Sequence, residues 1–236
     1  MVPGALALMF FSTIWLNACS SGSRSGANTN PNNASATPPT ASPAVTRTEC
    51  VPASLANAGE YGENIYDYAK ANDWKHAEIK LAALKEAIKQ MRAEVKKQSA
   101  AVDSLETDVA ALGRAVAAKD RHATVREANQ VTFDVANMTA AYKLSVPVEV
   151  IKLDYYGREL EVWAEAKDAN KLQATVREMR QTWDSLRPTI VVKSATEAKK
   201  FDALVAQVEA AKTPTDYARV ATPVLNEVDN LEKLFH

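Results

Sequence analysis

The sequence has little glycine and few aromatic residues. Only seven glycines occur among 236 residues, and aromatic side chains make up 7% of the chain, whereas alanine is abundant. Alanine costs the least free energy to hold in a helix, and glycine costs the most among residues other than proline. The composition therefore favours an all-α fold over one built from strands and tight turns.

The chain also lacks an excess of charge of either sign. Its formal net charge is −1, and no stretch of basic residues is interleaved with aromatic ones. A protein that binds nucleic acid needs a positive surface that attracts phosphates. We therefore expect no nucleic-acid partner.

The short motifs that usually mark an active site or a cofactor site are missing from the sequence. It contains no glycine-rich phosphate loop, no Gly-x-Ser-x-Gly, no His-Glu-x-x-His and no Cys-x-x-Cys-His. The Glu-x-x-His pairs of di-iron helical bundles are missing too. The sequence therefore predicts a protein that is not an enzyme and that carries no cofactor.

No apolar run is long enough for a membrane-spanning helix. The longest covers residues 5–16 and is interrupted by Ser12 and Thr13. A spanning helix needs about 20 apolar residues. The run has the length of the hydrophobic region of a secretory signal peptide.

The four residues "LNAC" that follow, Leu16 to Cys19, form an aliphatic residue, a variable one, a small one and a cysteine. This segment resembles the lipobox of bacterial lipoproteins. The resemblance implies that residues 1–18 are a signal peptide, that Cys19 carries a thioether-linked lipid, and that the chain is anchored through Cys19 to the lipid bilayer. Ser20, in place of the Asp that favours inner-membrane retention, implies the outer membrane, with the protein facing the periplasm or the cell surface. The alternative is a secreted protein with a Cys19–Cys50 disulfide.

The segment that follows Cys19 has the composition of a disordered tether. Residues 20–48 are mostly Ser, Asn, Thr, Pro, Ala and Gly, with almost no large apolar side chains. Such a segment buries too little surface to offset the entropy lost on ordering. We therefore expect residues 19–50 to be a flexible tether with a root-mean-square span of roughly 30 Å.

From residue 53 onward, apolar residues recur at alternating spacings of three and four, which is typical of helices packed in a bundle. The two halves of this region resemble each other. The segment "YGENIYDYAKANDW" from Tyr61 aligns on "YGRELEVWAEAKDA" from Tyr156, 95 positions later, and farther along the offset falls to 93. The sequence predicts an internal duplication: two four-helix bundles built from αα-hairpins, at residues 51–145 and 146–236. The alternative is an open solenoid of αα-hairpins.

Capping residues predict where the helices begin. Asp73, Asp120 and Asp168 recur at intervals of 47 and 48 residues, each at the expected start of a helix. Thr213, followed by Pro214 and Asp216, predicts the last start.

Three further boundaries follow from turn residues and from the repeat. Residues 74–118 could form one helix or two, and the two-residue difference between the halves favours a turn near residues 97–100. We expect Pro188 and the segment "TIVVKS" to end a helix in the second half. Ser145 and Pro147 are expected to cap and begin the first helix of that half.

The few histidines suggest one weak candidate for a metal site. His76 and His122 each follow an Asp, Asp73 and Asp120, in the first turn of the second and fourth predicted helices. In an up-and-down bundle both pairs lie at one pole, where imidazole and carboxylate could bind a divalent ion. Because polar residues commonly occupy helix starts, the sequence predicts no metal site.

Together these observations predict a lipid-anchored protein of the cell envelope that has a non-catalytic interaction or scaffold module and a possible envelope protein as partner. The aromatic residues Tyr66 and Tyr155 fall off the main apolar stripes, so they could contact a partner or line a ligand groove. The alternative function is a periplasmic or surface protein that binds a metal or a small molecule in its helical bundles.

Overall fold

The computed structural model describes residues 50–95 and 98–236. In this part of the chain there are eight α-helices and no strands, so the predicted all-α fold is confirmed. No helix in the described ranges is both long enough and apolar enough to span a bilayer. The predicted signal peptide, Cys19 and residues 19–49 of the tether lie outside the described residues. The helices are α1 (Ala53–Lys70), α2 (Trp74–Glu94), α3 (Ser99–Ala117), α4 (Arg121–Thr139), α5 (Val148–Ala166), α6 (Ala169–Lys193), α7 (Ala195–Ala210) and α8 (Pro214–Lys233).

The helices form two four-helix bundles. In the first bundle α1 packs on α2 and α4, and α3 packs on the same two helices; in the second, α5 packs on α6 and α8, and α7 packs on both. The first and last helices of each half therefore lie side by side, which closes the ring. An open solenoid of hairpins would not bring these helices together.

Each bundle has its own apolar core. Leu84, Met91 and Leu105 are fully buried in the first core, and Trp183 and Phe201 are fully buried in the second. Burying a large apolar side chain contributes about 1.5–3 kcal/mol to folding. The predicted apolar stripes therefore supply the main stabilisation of each half.

Two glycines at equivalent positions allow the first and fourth helices of each bundle to approach closely. A Cβ atom on Gly62 would lie 2.9 Å from Cγ2 of Thr132 in α4, and one on Gly157 would lie 2.6 Å from Cδ2 of Leu225 in α8. Distances this short are not tolerated between carbon atoms. The two glycines are 95 residues apart, so the duplication preserves this contact.

The predicted helix starts are confirmed. The carboxylates of Asp73, Asp120 and Asp168 each accept a hydrogen bond from the backbone N–H three residues later. The residue before each of them has a left-handed backbone, with φ of 57°, 52° and 56° in turn. The start of α8 is also confirmed, because Thr213 and Asp216 exchange hydrogen bonds in a capping box.

Residues 74–118 form two helices rather than one, because α2 ends at Glu94 and α3 begins at Ser99. The prediction that Pro188 ends a helix is wrong, because α6 continues through it to Lys193. Leu186 and Ile190, on either side of the proline, are buried in the core, and this burial outweighs the lost backbone hydrogen bond.

The chain turns instead at Ser194. This residue ends α6, and its hydroxyl accepts the N–H of Glu197 at the start of α7. The prediction that Ser145 caps α5 is also wrong, because Pro147 occupies the cap position and makes no side-chain hydrogen bond there. Pro147 has an extended backbone, which positions Val148 as the first helical residue.

The two bundles meet through α5. This helix packs along α4 of the first bundle as well as against α6 and α8 of its own. Ile151 and Val162 join the first core, whereas Leu153 and Leu160 join the second. Helix α5 is therefore buried on two faces, and several of its polar side chains, including Asp154 and Glu159, are buried with it.

Candidate functional site

The two His-Asp pairs lie on α2 and α4, which are diagonal in the first bundle. Nδ1 of His76 is 2.6 Å from Oδ2 of Asp73 on the surface, and this hydrogen bond lowers the pKa of Asp73. Asp120 caps α4 through the N–H of Ala123, and Nε2 of His122 is buried with no hydrogen-bond partner among the described residues. No group of three or more His, Cys, Asp or Glu side chains in these residues is placed to hold a metal ion.

The two aromatic residues that fall off the apolar stripes lie between the bundles. Tyr66 is 2% exposed, and its hydroxyl donates a hydrogen bond to Glu161 of α5 at 2.9 Å. Tyr155 packs on Phe133 of α4 with ring centroids 4.4 Å apart. The partner of these aromatic residues is therefore the other half of the same chain.

Carboxylates gather around one buried arginine where α1, α5 and α8 meet. Nη2 of Arg158 is 2.9 Å from a carboxylate oxygen of Asp154 and 3.9 Å from one of Glu63. Both carboxylates are only 9% exposed. Asp67 and Asp229 also interact electrostatically with Arg158. Glu232, which pairs with His236, lies near Glu63. We call this group the acidic cluster; it consists of Glu63, Asp67, Asp154, Arg158, Asp229 and Glu232.

Burial controls the protonation of the acidic cluster. Removal from water raises the pKa of Glu63 to about 8, although Arg158 opposes this shift. Burial also raises the pKa values of Asp67, Asp154 and Asp229 above their usual range. Part of the cluster is therefore protonated at neutral pH, which reduces the repulsion between its carboxyl groups.

A second buried polar contact fastens α5 to α4. Nδ2 of Asn129 donates to Oε1 of Glu159 and to the backbone carbonyl of Tyr155, each at 3.2 Å. The indole N–H of Trp163 donates to the other oxygen of Glu159. Asn129 is fully buried, so these hydrogen bonds fix the position of α5 between the bundles.

A groove lies on the surface of the first bundle between α2 and α3, with a volume of about 690 Å³. Its bottom is apolar and its rim is mostly basic. We call it the α2/α3 groove. The bottom is formed by Ile88, Val109, Ala110, Gly113 and Ala117, and the rim by Lys85, Lys89, Arg92, Glu106 and Arg114.

The basic groups of the rim are only partly neutralised. Arg92 binds Glu106 and Asp103 with nitrogen–oxygen distances of 2.6 and 2.7 Å. Lys85 and Arg114 form no ion pair with any carboxylate of the described residues. Lys89 pairs with Glu86 of its own helix at 3.7 Å. The unpaired positive charge that the rim presents beside the apolar floor is therefore that of Lys85 and Arg114.

The matching α6/α7 seam of the second bundle is closed. Arg180 of α6 binds Glu209 of α7 at 2.8 Å, and Arg187 binds Asp202 at the same distance. Trp183 fills the space between them, and its indole N–H donates to Asp202 at 2.8 Å. Helices α2 and α3 are also joined by an ion pair, because Arg92, the counterpart of Arg187, binds Glu106 and Asp103 of α3. They lack counterparts of Trp183 and of the Arg180–Glu209 pair.

The first described residue, Cys50, is disulfide-bonded in the structure. The one other cysteine of the sequence, Cys19, lies outside the described residues. A sulfur in a thioether cannot also form a disulfide, so lipidation of Cys19 and a Cys19–Cys50 disulfide exclude each other, and both stay predictions.

The surfaces described above are the basis for any functional assignment, because comparison with known proteins adds none. No protein-family model, no curated protein and no solved structure matches this chain.

Proposed function

We propose that this protein is a non-catalytic interaction module of the cell envelope, anchored to the membrane by a lipid on Cys19. The observation that supports an interaction role is the α2/α3 groove. It combines an apolar floor with a basic rim, and grooves of this kind receive a segment of a partner protein.

Comparison with the second bundle indicates that the α2/α3 groove is not a general consequence of this architecture. The same architecture closes its own seam with Trp183, Arg180 and Arg187. In the first bundle the core stays intact beneath the open seam, because Ile88 and Val109 are each only 3% exposed. The groove therefore costs the first bundle little stability, which fits a surface kept open for a partner.

The proposed tether adds reach to this module. A flexible segment over residues 19–50 would hold the bundles within roughly 30 Å of the bilayer. The groove could then meet partners that stand on or near the membrane.

The lipid anchor is tested by metabolic labelling with an alkyne analogue of palmitate. We expect the wild-type chain to take up the label and to fractionate with membranes, and Cys19→Ser to lose both properties. Cys50→Ser is the matched control and should keep them. Labelling of Cys19→Ser at the wild-type level would refute the anchor.

The interaction role is tested by photo-crosslinking in cells. A photoreactive residue at Ala110 would sit on the groove floor, and one at Ala203 would sit at the equivalent position of the second bundle. We expect one discrete adduct from Ala110 and none from Ala203. Equal labelling at both positions, or no adduct from Ala110, would refute the proposal.

A further inference from the structure

We propose that the α2/α3 groove binds an acidic amphipathic helix of a partner protein. This inference rests on the proposed interaction function and specifies the chemistry of the partner. The charge of the rim, the shape of the floor and the spacing of the basic residues each support it.

The shape of the groove suits a short helix. From Glu106 to Ala117 the groove follows α3 over twelve residues, which is about 16 Å or three helical turns. Ala110, Gly113 and Ala117 have small side chains or none, so a partner helix could approach the backbone of α3 closely. The same three residues supply the accessible apolar surface against which that helix would pack, with the buried side chains of Ile88 and Val109 directly beneath them.

The basic residues of the rim are spaced to match a helix. Lys85, Lys89 and Arg92 follow one edge of α2 at positions i, i+4 and i+7. Lys85 is unpaired and Lys89 makes only an exposed 3.7 Å contact with Glu86, so carboxylates four residues apart on a partner helix would face these two lysines. Arg92 is already bound by Glu106 and Asp103 and marks the end of this basic edge. Arg114 lies on the opposite edge of the groove, so the partner would meet positive charge on both sides.

The same spacing argues against a phospholipid headgroup as the occupant. A single phosphate is bound by donors that converge on one point. Lys85 and Arg92 are instead seven residues apart on α2, about 10 Å along the helix axis. A line of charges over an apolar floor is complementary to an extended acidic edge.

The test uses a synthetic helical peptide of about 18 residues, with glutamates along one edge and leucine and alanine on the adjacent face. Its fluorescence anisotropy is followed as the full chain, purified in nonionic detergent, is added. We expect saturable binding at low salt that weakens strongly at about 0.5 M NaCl. A peptide with lysine in place of each glutamate should not bind, and equal binding of both peptides would overturn the proposal.

A pair of charge reversals locates the binding site. Lys85→Glu together with Lys89→Glu should weaken peptide binding by at least about tenfold. Lys199→Glu together with Lys212→Glu makes the same change of net charge on the exposed surface of the second bundle and should leave binding unchanged. An equal loss in both variants would show binding by net charge alone and would overturn the proposal.

A substitution that fills the groove provides a test without any change of charge. A Cβ at Gly113 would meet the end of the Lys85 side chain at 3.4 Å and Cδ2 of Leu81 at 3.8 Å, both ordinary contact distances, so Gly113→Leu should fold normally. We expect unchanged helicity and thermal stability but loss of peptide binding. Wild-type affinity in this variant would overturn the proposal.

The outcomes also separate this inference from the proposed function. If the acidic peptide does not bind but Ala110 still yields its discrete adduct in cells, the acidic helix is refuted and the interaction function stands. If soluble dihexanoylphosphatidylglycerol binds in its place, and Lys85→Glu with Lys89→Glu abolishes that binding, the groove is a lipid site. Absence of the Ala110 adduct would refute the proposed function itself.

Discussion

The two bundles repeat one architecture but differ at the seam between their second and third helices. In the second bundle, the α6/α7 seam is filled by Trp183 and joined by the Arg187–Asp202 ion pair. In the first bundle, Ile88 replaces Trp183, and Val109 stands at the position of Asp202. Arg92, the counterpart of Arg187, pairs instead with Glu106 and Asp103 of α3. The main difference between the seams is therefore the smaller apolar side chain at position 88, beside which the groove lies.

This difference distinguishes two sets of residues. Those that maintain the fold recur in both bundles, whereas most of those between the second and third helices differ. The helix caps and the close-contact glycines recur in both halves, at Asp73 and Asp168 and at Gly62 and Gly157. A duplicated fold can therefore keep its stability in the repeated core while one copy of a surface seam becomes a groove.

The largest expected effect comes from replacing the equivalent core residue of each bundle, Trp183 or Ile88, by alanine. Trp183→Ala should lower the free energy of unfolding by about 3–5 kcal/mol, because Trp183 is fully buried against Phe201 with ring centroids 4.5 Å apart. Ile88→Ala should cost about 2 kcal/mol, since it removes fewer atoms beside an open groove. Urea denaturation measures both values, and an equal cost would contradict the claim that the two seams differ in packing.

A second comparison is between two arginines: Arg158, which lies at the interface between the bundles, and Arg177, which is exposed on α6. Arg158→Met should destabilise the protein by about 3 kcal/mol near neutral pH, because the buried carboxyl groups of Asp154 and Asp67 lose the cation that favours their charged form. The loss should shrink near pH 5, where these carboxyl groups protonate more readily.

The control for Arg158 is Arg177→Met, which removes the same group from the exposed face of α6. We expect that change to alter the free energy of unfolding by less than about 0.5 kcal/mol. Similar losses in the two variants would show that the acidic cluster does not depend on its arginine.

Much of this fold could be predicted from the sequence, because the signals are local and repeated. The apolar stripes, the Asp caps and the offset of 95 residues each indicate helices and their arrangement in two similar halves. Pro188 was predicted wrongly because a local rule was applied where tertiary burial prevails: Leu186 and Ile190 hold α6 together across the proline.

The interface and the groove could not be predicted in the same way. The acidic cluster joins α1, α5 and α8, and no sequence spacing relates side chains on separate helices. The one sequence signal for the interface was that Tyr66 and Tyr155 lie off the main apolar stripes of their helices. This position indicates a second contact face on each helix but does not identify the residues that pack against it. The groove depends on which side chains fill the space between the second and third helices of a bundle. This difference is seen only when the two bundles are compared in three dimensions.

The pH dependence of stability tests the protonation of the acidic cluster. The pKa of Glu63 is raised to about 8 in the folded protein, so the folded state binds more protons than the unfolded state and stability falls as pH rises from about 4.5 to about 8. Glu63→Gln removes this ionisation. It should raise the free energy of unfolding near pH 8.5 by about 1–3 kcal/mol and have little effect near pH 4.5. A benefit that is the same at both pH values would contradict the raised pKa.

The smallest effects compare two helix glycines. Gly62→Ala should destabilise the protein by about 1–2 kcal/mol, because the new methyl group meets Thr132, whose hydroxyl is held at 2.6 Å by the carbonyl of Asn129. Gly113→Ala should stabilise it by about 0.5–1 kcal/mol, because alanine favours the helix and the groove has room for a methyl group. Chemical denaturation of the two variants under identical conditions gives both signs. If Gly113→Ala were destabilising, the space above α3 would be part of the packed fold, and its role as an open surface for a partner would fail with it.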